Sequence, residues 1–433
     1  MRDDIIKKID NRDIIVGVVG LGYVGLPLAV EKAKAGFKTI GFDIQPKKVD
    51  MVNRGENYIG DVVDSDLTEL VGAGTFSATS DFSFIKDVDF VAICVPTPLD
   101  IHQQPDISYV KGSSEQIAKH LKRGAMVVLE STTYPGTTEE LLKPILESGS
   151  GMVCGEDFYL GFSPERVDPG NARFNIKNTP KVVGAVGADA LTIISHMYRT
   201  VLGSDIFEVS SPAVAEMEKL LENTYRNVNI ALANEMAMLC DKMGINVWEV
   251  IDAAKTKPYG FQAFYPGPGP GGHCIPLDPF YLAWKAREYG FHTSLIEASA
   301  MINDRMPEYV ADRAVRLLNK HKKPLNGSKI LMLGLAYKQD IDDYRESRAI
   351  DVMVHLERGG AIVDYHDPYI KHFRHNGIAK TSVDCNAQGY DLVIVTTAHT
   401  TVDYETVAAG SIPILDTKNA MNHIIKRGNI ERL

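Results

Sequence analysis

The feature that most constrains this chain is a junction close to its N-terminus. The run Ile14-Ile-Val-Gly-Val-Val19 is rich in β-branched residues, as in a parallel strand covered on both faces. Gly20-Leu-Gly22-Tyr-Val-Gly25 follows directly, and Leu26-Pro-Leu-Ala-Val-Glu-Lys-Ala-Lys-Ala35 then reads as a helix. In that context Gly20 permits a tight turn and Gly22 lets a pyrophosphate approach the backbone. Gly25 lets helix and strand pack closely. A second strand, Lys38-Thr-Ile-Gly-Phe-Asp43, ends in an acid eighteen residues after Gly25. A carboxylate there accepts hydrogen bonds from a ribose diol and repels a 2′-phosphate, which favours NAD over NADP. Lys47 and Lys48 lie near enough to soften that preference.

The same rhythm continues. Asp89-Phe-Val-Ala-Ile-Cys-Val95 ends at Pro96-Thr-Pro98, and Ala125-Met-Val-Val-Leu-Glu130 ends at Ser131-Thr-Thr133. Ligands of open α/β sheets lie beyond the carboxyl ends of the strands, which places Thr97, Ser131 and Thr132 to meet one. Taken singly, such hydroxyls more often cap helices or close turns. Cys94, inside an apolar strand, reads as core. Tyr159-Leu-Gly-Phe-Ser-Pro-Glu165-Arg166 reads as a strand running to an acid. Glu165 is a candidate general base or water-orienting group, although alone it reads better as a solvated loop carboxylate. Lys181-Val-Val-Gly-Ala-Val and a helix from Leu191 to Leu202 close the first domain.

No proline or glycine interrupts Ala213 to Met243, which Ser211-Pro212 opens and Gly244 ends. A helix that long, roughly 40 Å or more at the usual rise, can join domains and offer a dimer surface. Lys219 and Asn223 share a face one turn apart, and a cation with an amide can stabilise an oxyanion. Asn234-Glu235 reads as interdomain polar packing. A short helix follows Gly244. Then comes Tyr265-Pro-Gly-Pro-Gly-Pro-Gly-Gly-His-Cys-Ile-Pro-Leu-Asp-Pro279, through which neither helix nor strand can run. Such a loop can wrap a ligand with its amides. It carries Cys274, a candidate nucleophile, and Asp278, a carboxylate able to manage a proton or water. Helices follow over Phe280–Tyr289 and Ser294–Lys320. Strands recur at Lys329–Ala336, Ala361–His366, Asp391–Val395 and Ile412–Asp416, forming a second Rossmann-like sheet without a full glycine fingerprint. Lys338, Arg345 and Lys418 are its candidate phosphate or cofactor contacts.

At 433 residues the chain has room for two or three domains. The expected division is 1–205, an NAD-binding domain; 206–315, a central helical domain with the long helix and the cysteine loop; and 316–433, a second Rossmann-like, nucleotide-type domain. The fold class is α/β, two doubly wound Rossmann-like domains joined by the long helix. A net charge of −10 argues against nucleic acid. The five cysteines are scattered, with no CxxC, so neither a disulfide framework nor a metal site is expected. No signal peptide and no run of roughly 18 apolar residues is present, so a cytoplasmic location without membrane association is expected.

These pieces, in this order, resemble the UDP-glucose/UDP-N-acetylhexosamine 6-dehydrogenase family over nearly the whole chain. The carrying motifs are Gly20–Leu28, Ser163-Pro-Glu165, Lys219-Leu-Leu-Glu-Asn223, Gly271-Gly-His-Cys274 with Asp278, and Gly334-Leu-Ala-Tyr-Lys338 with Asp343-Tyr-Arg-Glu-Ser347. The resemblance implies oxidation of a nucleotide-sugar C6 alcohol to a carboxylate with two NAD, through a thiohemiacetal and a thioester on Cys274. It implies that Lys219 and Asn223 stabilise the oxyanion, and that Asp278 and Glu165 handle protons and water, with Thr132 assisting. Gly20, Gly22, Tyr23, Val24, Gly25, Asp43, Lys48, Pro96, Thr97, Ser131, Thr132 and Arg345 would line the cofactor. Glu165, Lys219, Asn223, Tyr265, Gly267, Gly271 and Lys338 would meet the UDP-sugar, and a homodimer or higher homo-oligomer is implied. His273 and Ile275–Tyr281 look like the UDP-N-acetylglucosamine branch, and Lys257-Pro-Tyr259 falls where UDP-glucose enzymes commonly carry arginine. Arg348 and Lys418 depart from the family's usual proline and arginine. The alternatives are the same chemistry on UDP-glucose or UDP-N-acetylmannosamine, a one-step hydroxyacid dehydrogenase, and a non-catalytic nucleotide-sugar sensor.

Overall fold

The computed structural model describes residues 2–433 except 61, 168–170, 172, 273, 376 and 425–427, so His273 lies outside the described residues. The chain packs as two units, Met1–Glu222 with Phe280–Gly290, and Asn223–Pro279 with Phe291–Leu433. Each contains a largely or wholly parallel sheet.

The first unit carries strands β1 (Ile15–Val19), β2 (Lys38–Phe42), β3 (Phe76–Thr79), β4 (Phe90–Ile93), β5 (Met126–Leu129), β6 (Tyr159–Phe162), β7 (Lys181–Ala185) and β8 (Ile206–Val209). Their order in the sheet is β3-β2-β1-β4-β5-β6-β7-β8. All neighbours run parallel except β6 and β7. The order reverses between β1 and β4, the crevice where doubly wound sheets hold dinucleotides. Alternate residues of β1, Val16 and Val18 against Val19, enter two separate apolar clusters, so the sheet is covered on both faces.

The second unit carries β9 (Lys329–Leu333), β10 (Ile362–His366), the hairpin β11 (His372–His375) and β12 (Ile378–Thr381), β13 (Leu392–Val395), β14 (Ile414–Asp416) and β15 (Ile430–Arg432). Its five-stranded sheet runs β10-β9-β13-β14-β15, with every pair parallel. This is the other common doubly wound order, with its switch between β9 and β13.

The long helix spans Pro212–Met243. Ser211 Oγ accepts the Val214 N–H at 3.4 Å, a capping contact at its start. Asn246 caps the next helix, Val247–Ala254. One reading is corrected. The strand toward Glu165 stops at Phe162, because Pro164 has no N–H to give to a ladder, and Glu165 sits in the loop beyond. Asn234 is fully buried, donating to Asn303 Oδ1 at 2.9 Å and accepting the Gly267 N–H at 3.0 Å.

Candidate active site

One group of candidate residues lies at the β1–β4 switch. Gly20 turns at φ +92°, and a methyl group there would sit 2.6 Å from Cys94 O. A methyl on Gly25 would lie 1.8 Å from Gly20 O, so helix and strand meet backbone to backbone. In front of Gly22 nothing stands within 4 Å. That combination is a cradle with tight walls and an open mouth, aimed at the N-terminus of the helix Gly25–Lys34, and it fits a pyrophosphate. Val24 directly precedes that helix and Tyr23 is exposed. Asp43 accepts the Leu21 N–H at 2.9 Å on one oxygen and the Gln45 N–H at 2.9 Å on the other. Lys48 Nζ lies 3.7 Å from the same carboxylate.

Pro96 is exposed, whereas Thr97 is buried with its carbonyl accepting the Tyr281 hydroxyl at 2.7 Å. Ser131 Oγ donates to Val95 O at 2.8 Å, closing the turn after β4. Thr132 beside it is half-buried. Glu165 Oε1 accepts the N–H groups of Arg166 at 2.7 Å and Val167 at 2.9 Å. Lys219 is buried and donates to the Glu165 carbonyl at 2.5 Å. The structure therefore brings two expected site residues, Lys219 and Glu165, together. Cys94 is core, and burial pushes its thiol well up.

The other group is built on the proline–glycine loop. Cys274 is exposed. Its carbonyl accepts the Leu277 and Asp278 N–H groups at 3.2 and 2.9 Å, winding the chain into the helix Asp278–Ala286. Asp278 is buried, and its Oδ2 accepts from Asn223 Nδ2 at 2.6 Å. Asn227, one turn further along the long helix, donates to Ile275 O at 3.0 Å. The cysteine segment is thus hung from a row of asparagines. Among the described residues no disulfide and no metal-holding group of His, Cys, Asp or Glu is found.

Upstream, the Tyr265 ring stacks on Trp248 at 5.7 Å and its hydroxyl lies 3.0 Å from both Asp252 and Lys255. A methyl on Gly267 would meet Lys418 Nζ at 2.6 Å, and one on Gly271 would meet Tyr337 Cβ at 2.7 Å. Arg348, one of the departures, donates to Pro270 O at 3.2 Å and pairs with Asp304 and Asp351. It thereby clamps the loop, something proline could not do. Lys418 is half-buried, and burial lowers its ammonium to about 8. Lys338 follows Tyr337 in the loop after β9. Arg345 forms a two-oxygen pair with Asp343 in that loop.

Family models match all three segments. The NAD-binding domain of the UDP-glucose/GDP-mannose dehydrogenase family covers residues 14–202, the central domain 213–305 and the UDP-binding domain 331–423. A UDP-N-acetyl-D-glucosamine 6-dehydrogenase of Pseudomonas aeruginosa is 38% identical over 90% of this chain and 91% of its own. The chain belongs to the UDP-glucose/GDP-mannose dehydrogenase family. A UDP-N-acetyl-D-mannosamine dehydrogenase of Pyrococcus horikoshii is 36% identical over 89% of each chain. A solved UDP-D-ManNAc dehydrogenase from the same organism aligns at TM-score 0.88 with 33% identity, covering 97% of this chain and 99% of that one. The chain is accordingly an NAD-dependent UDP-sugar dehydrogenase with the expected α/β fold. No helix among its described residues is long and apolar enough to cross a membrane.

Sequence reasoning missed several residues that build these sites. Lys32, Glu130, Lys181 and Tyr198 form a buried cluster behind Glu165. Glu130 and Lys181 sit at the edges of apolar strands, and Lys32 and Tyr198 lie within helices, where a charge or hydroxyl reads as solvated. Asn227 and Asn303 were hidden in helices, where only the i, i+4 spacing of Asn223 and Asn227 was a signal.

Proposed function

We propose that this member of the family oxidises the C6 alcohol of UDP-N-acetylglucosamine to the carboxylate in two stages, holding the half-oxidised carbon on Cys274. The observation that carries this reading is the placement of Cys274. It is an exposed thiol at the mouth of a glycine-walled loop, one turn before a buried Asp278 already engaged by Asn223. NAD, when bound, supplies the hydride acceptor. The Cys274 thiolate adds to the aldehyde carbon to give a thiohemiacetal; loss of a second hydride gives the thioester. Water then adds to the thioester carbon, the C–S bond breaks, and the thiolate returns. The sum is alcohol plus water to carboxylate, with two hydrides and three protons released.

Lys219 and Asn223 steady the oxyanion, Asp278 and Glu165 move protons and aim water, and Thr132 assists. The division of labour follows 1–205 for NAD, 206–315 for the thiol and 316–433 for UDP. Lys338 and the loop Tyr265–Gly271 meet the nucleotide sugar, and Arg345 meets the cofactor once released from Asp343. Met217, Leu221, Tyr225, Leu232, Leu239 and Met243 are exposed along one helix at spacings of four and seven, which supports a homodimer. The location we infer is the cytoplasm, and the product would serve polysaccharide precursor synthesis.

The choice of sugar is supported by Ile275–Tyr281 and by the Pseudomonas aeruginosa relative. The match to the Pyrococcus horikoshii structure favours UDP-N-acetylmannosamine as a second reading. Turnover of purified enzyme with the two N-acetylhexosamine nucleotides and UDP-glucose tests it. We expect kcat/KM highest for UDP-N-acetylglucosamine and two NADH per sugar. Equal rates with UDP-glucose would remove the sugar assignment, and one NADH per sugar would remove the thioester route. Cys274→Ala is expected to abolish acid formation while leaving NAD binding intact.

A further inference from the structure

We propose that Lys181 is a positioning residue for Glu165, holding one oxygen of that carboxylate in place to take a proton from water. The inference rests on the reading of Glu165 given above. Glu165 divides its two oxygens. Oε1 is fixed by two backbone N–H groups, those of Arg166 and Val167. Oε2 is buried, makes no hydrogen bond, and lies 3.7 Å from Lys181 Nζ. One oxygen is an anchor, and the other keeps its lone pairs under a cation.

Lys181 is itself held. Its Nζ donates to Glu130 Oε2 at 2.8 Å and to Pro164 O at 3.3 Å. Glu130 is buried, and its other oxygen accepts the Tyr198 hydroxyl at 2.6 Å. Behind them Lys32, fully buried, places Nζ 4.3 Å from the centre of the Phe90 ring and 4.7 Å from that of Tyr198, with no hydrogen bond. Burial lowers that amine to about 8. Burial also works against the Lys181 charge, but Glu130 and Glu165 outweigh it and raise the amine. The other groups facing this carboxylate are Cys94, whose thiol burial keeps protonated, Arg166, and Lys219 on the Glu165 carbonyl.

Two buried lysines are costly unless the charge is matched. A sheet that needed only an apolar core would not place them here. Pro164, Glu165, Thr179 and Lys181 are among the residues lining a small recess. Thr179 Oγ1, also buried, has no hydrogen-bond partner either. A water in that recess would have the Glu165 carboxylate and the Thr179 hydroxyl among its neighbours.

The test compares Glu165→Gln, Lys181→Met, Lys181→Arg and the double variant Glu165→Gln/Lys181→Met. Each is assayed for kcat against pH and, by intact mass after quenching, for a nucleotide-sugar adduct on the protein. Lys181→Met is expected to lower kcat roughly tenfold to a hundredfold. Its acid limb should move up by about one pH unit, because losing a nearby cation favours the protonated acid. The adduct should accumulate in Lys181→Met as is expected in Glu165→Gln. Lys181→Arg is expected to restore most of the rate, and Lys181→Met should cost little more once Glu165 is already glutamine. A full additional loss in the double variant, or an unshifted acid limb, overturns the proposal while leaving Glu165 in place. Wild-type turnover in Glu165→Gln removes the reading of Glu165 and the proposal with it. If Lys181→Met does not fold, Tyr198→Phe loosens the Glu130 anchor instead. The same shift of the acid limb, smaller, is expected, and its absence counts against the proposal.

Discussion

The turns after β1 and β9 begin alike. Gly20 at φ +92° donates its N–H to Phe42 O at 2.7 Å; Gly334 at φ +90° donates to His366 O at 2.8 Å. In each, an acid just past the neighbouring strand accepts the next N–H: Asp43 from Leu21 at 2.9 Å, Asp367 from Leu335 at 2.7 Å. They then diverge. After Gly20 the chain enters a helix by Gly25, and the space before Gly22 is open. After Gly334 the helix waits until Arg348, and the crevice is filled. Thr396 and Thr397 hydroxyls donate to Gly334 O and Ala336 O. His399, fully buried, sits 3.0 Å from Asp367 through Nε2 and accepts the Asp340 N–H through Nδ1. One switch point is left open for a dinucleotide. The other is closed, and its long loop meets the proline–glycine segment instead. The same strand–turn frame thus serves two ligands by opening or plugging the crevice.

The sharpest way to break this comparison is at the glycines. Gly25→Ala puts a methyl 1.8 Å from a carbonyl oxygen and should cost about 3 kcal/mol or more, readable as a large fall in Tm of the first unit. Gly22→Ala meets nothing within 4 Å, so it should fold normally and lose NAD affinity alone, by titration. A normal Tm for the first, or unaltered NAD binding for the second, contradicts the cradle.

Next come the paired acids. Burial pushes Asp367 up, but His399 and the Leu335 and Ala336 amides outweigh it and hold the carboxyl at about 2. The folded group binds its proton less tightly than the unfolded one. Its contribution, about 2 kcal/mol, is therefore complete above roughly pH 4 and drains as pH falls toward 2. Asp367→Asn should flatten stability across that window without touching NAD affinity. Asp43→Asn should instead weaken NAD roughly tenfold. Urea midpoints from pH 2 to 6 and NAD titrations separate the two.

The smallest effect expected is at Lys418. With its ammonium lowered to about 8 by burial, UDP affinity should weaken several-fold as pH rises from 7 to 9. Calorimetry on Lys418→Met should show no such slope.

Much of this architecture was legible because its signals are local. Buried parallel strands are β-branched runs, and a glycine between strand and helix has few uses. The stretch Tyr265–Pro279 announced itself by excluding both regular structures. What escaped was chemistry assembled across sequence distance. Lys181 opens an apolar strand and Glu130 ends one, 51 positions apart, and nothing in either neighbourhood says that they meet. Asn234 likewise shows its use only when the Gly267 amide arrives from 33 residues away. Arg348 looked like a departure from a pattern, and its clamp on Pro270 emerges only in three dimensions.

The crowding around the loop glycines has a consequence for anyone wishing to retune this enzyme. A side chain at Gly271 would start 2.7 Å from the Tyr337 methylene and 2.8 Å from the Glu346 carbonyl oxygen, whereas at Gly267 it would meet only the mobile end of Lys418 at 2.6 Å. Diversifying Gly271 would mostly yield misfolded variants. New sugar preferences are better sought in the abutting side chains, Lys418, Tyr337 and Arg348, which can change shape while the backbone they press upon stays where it is.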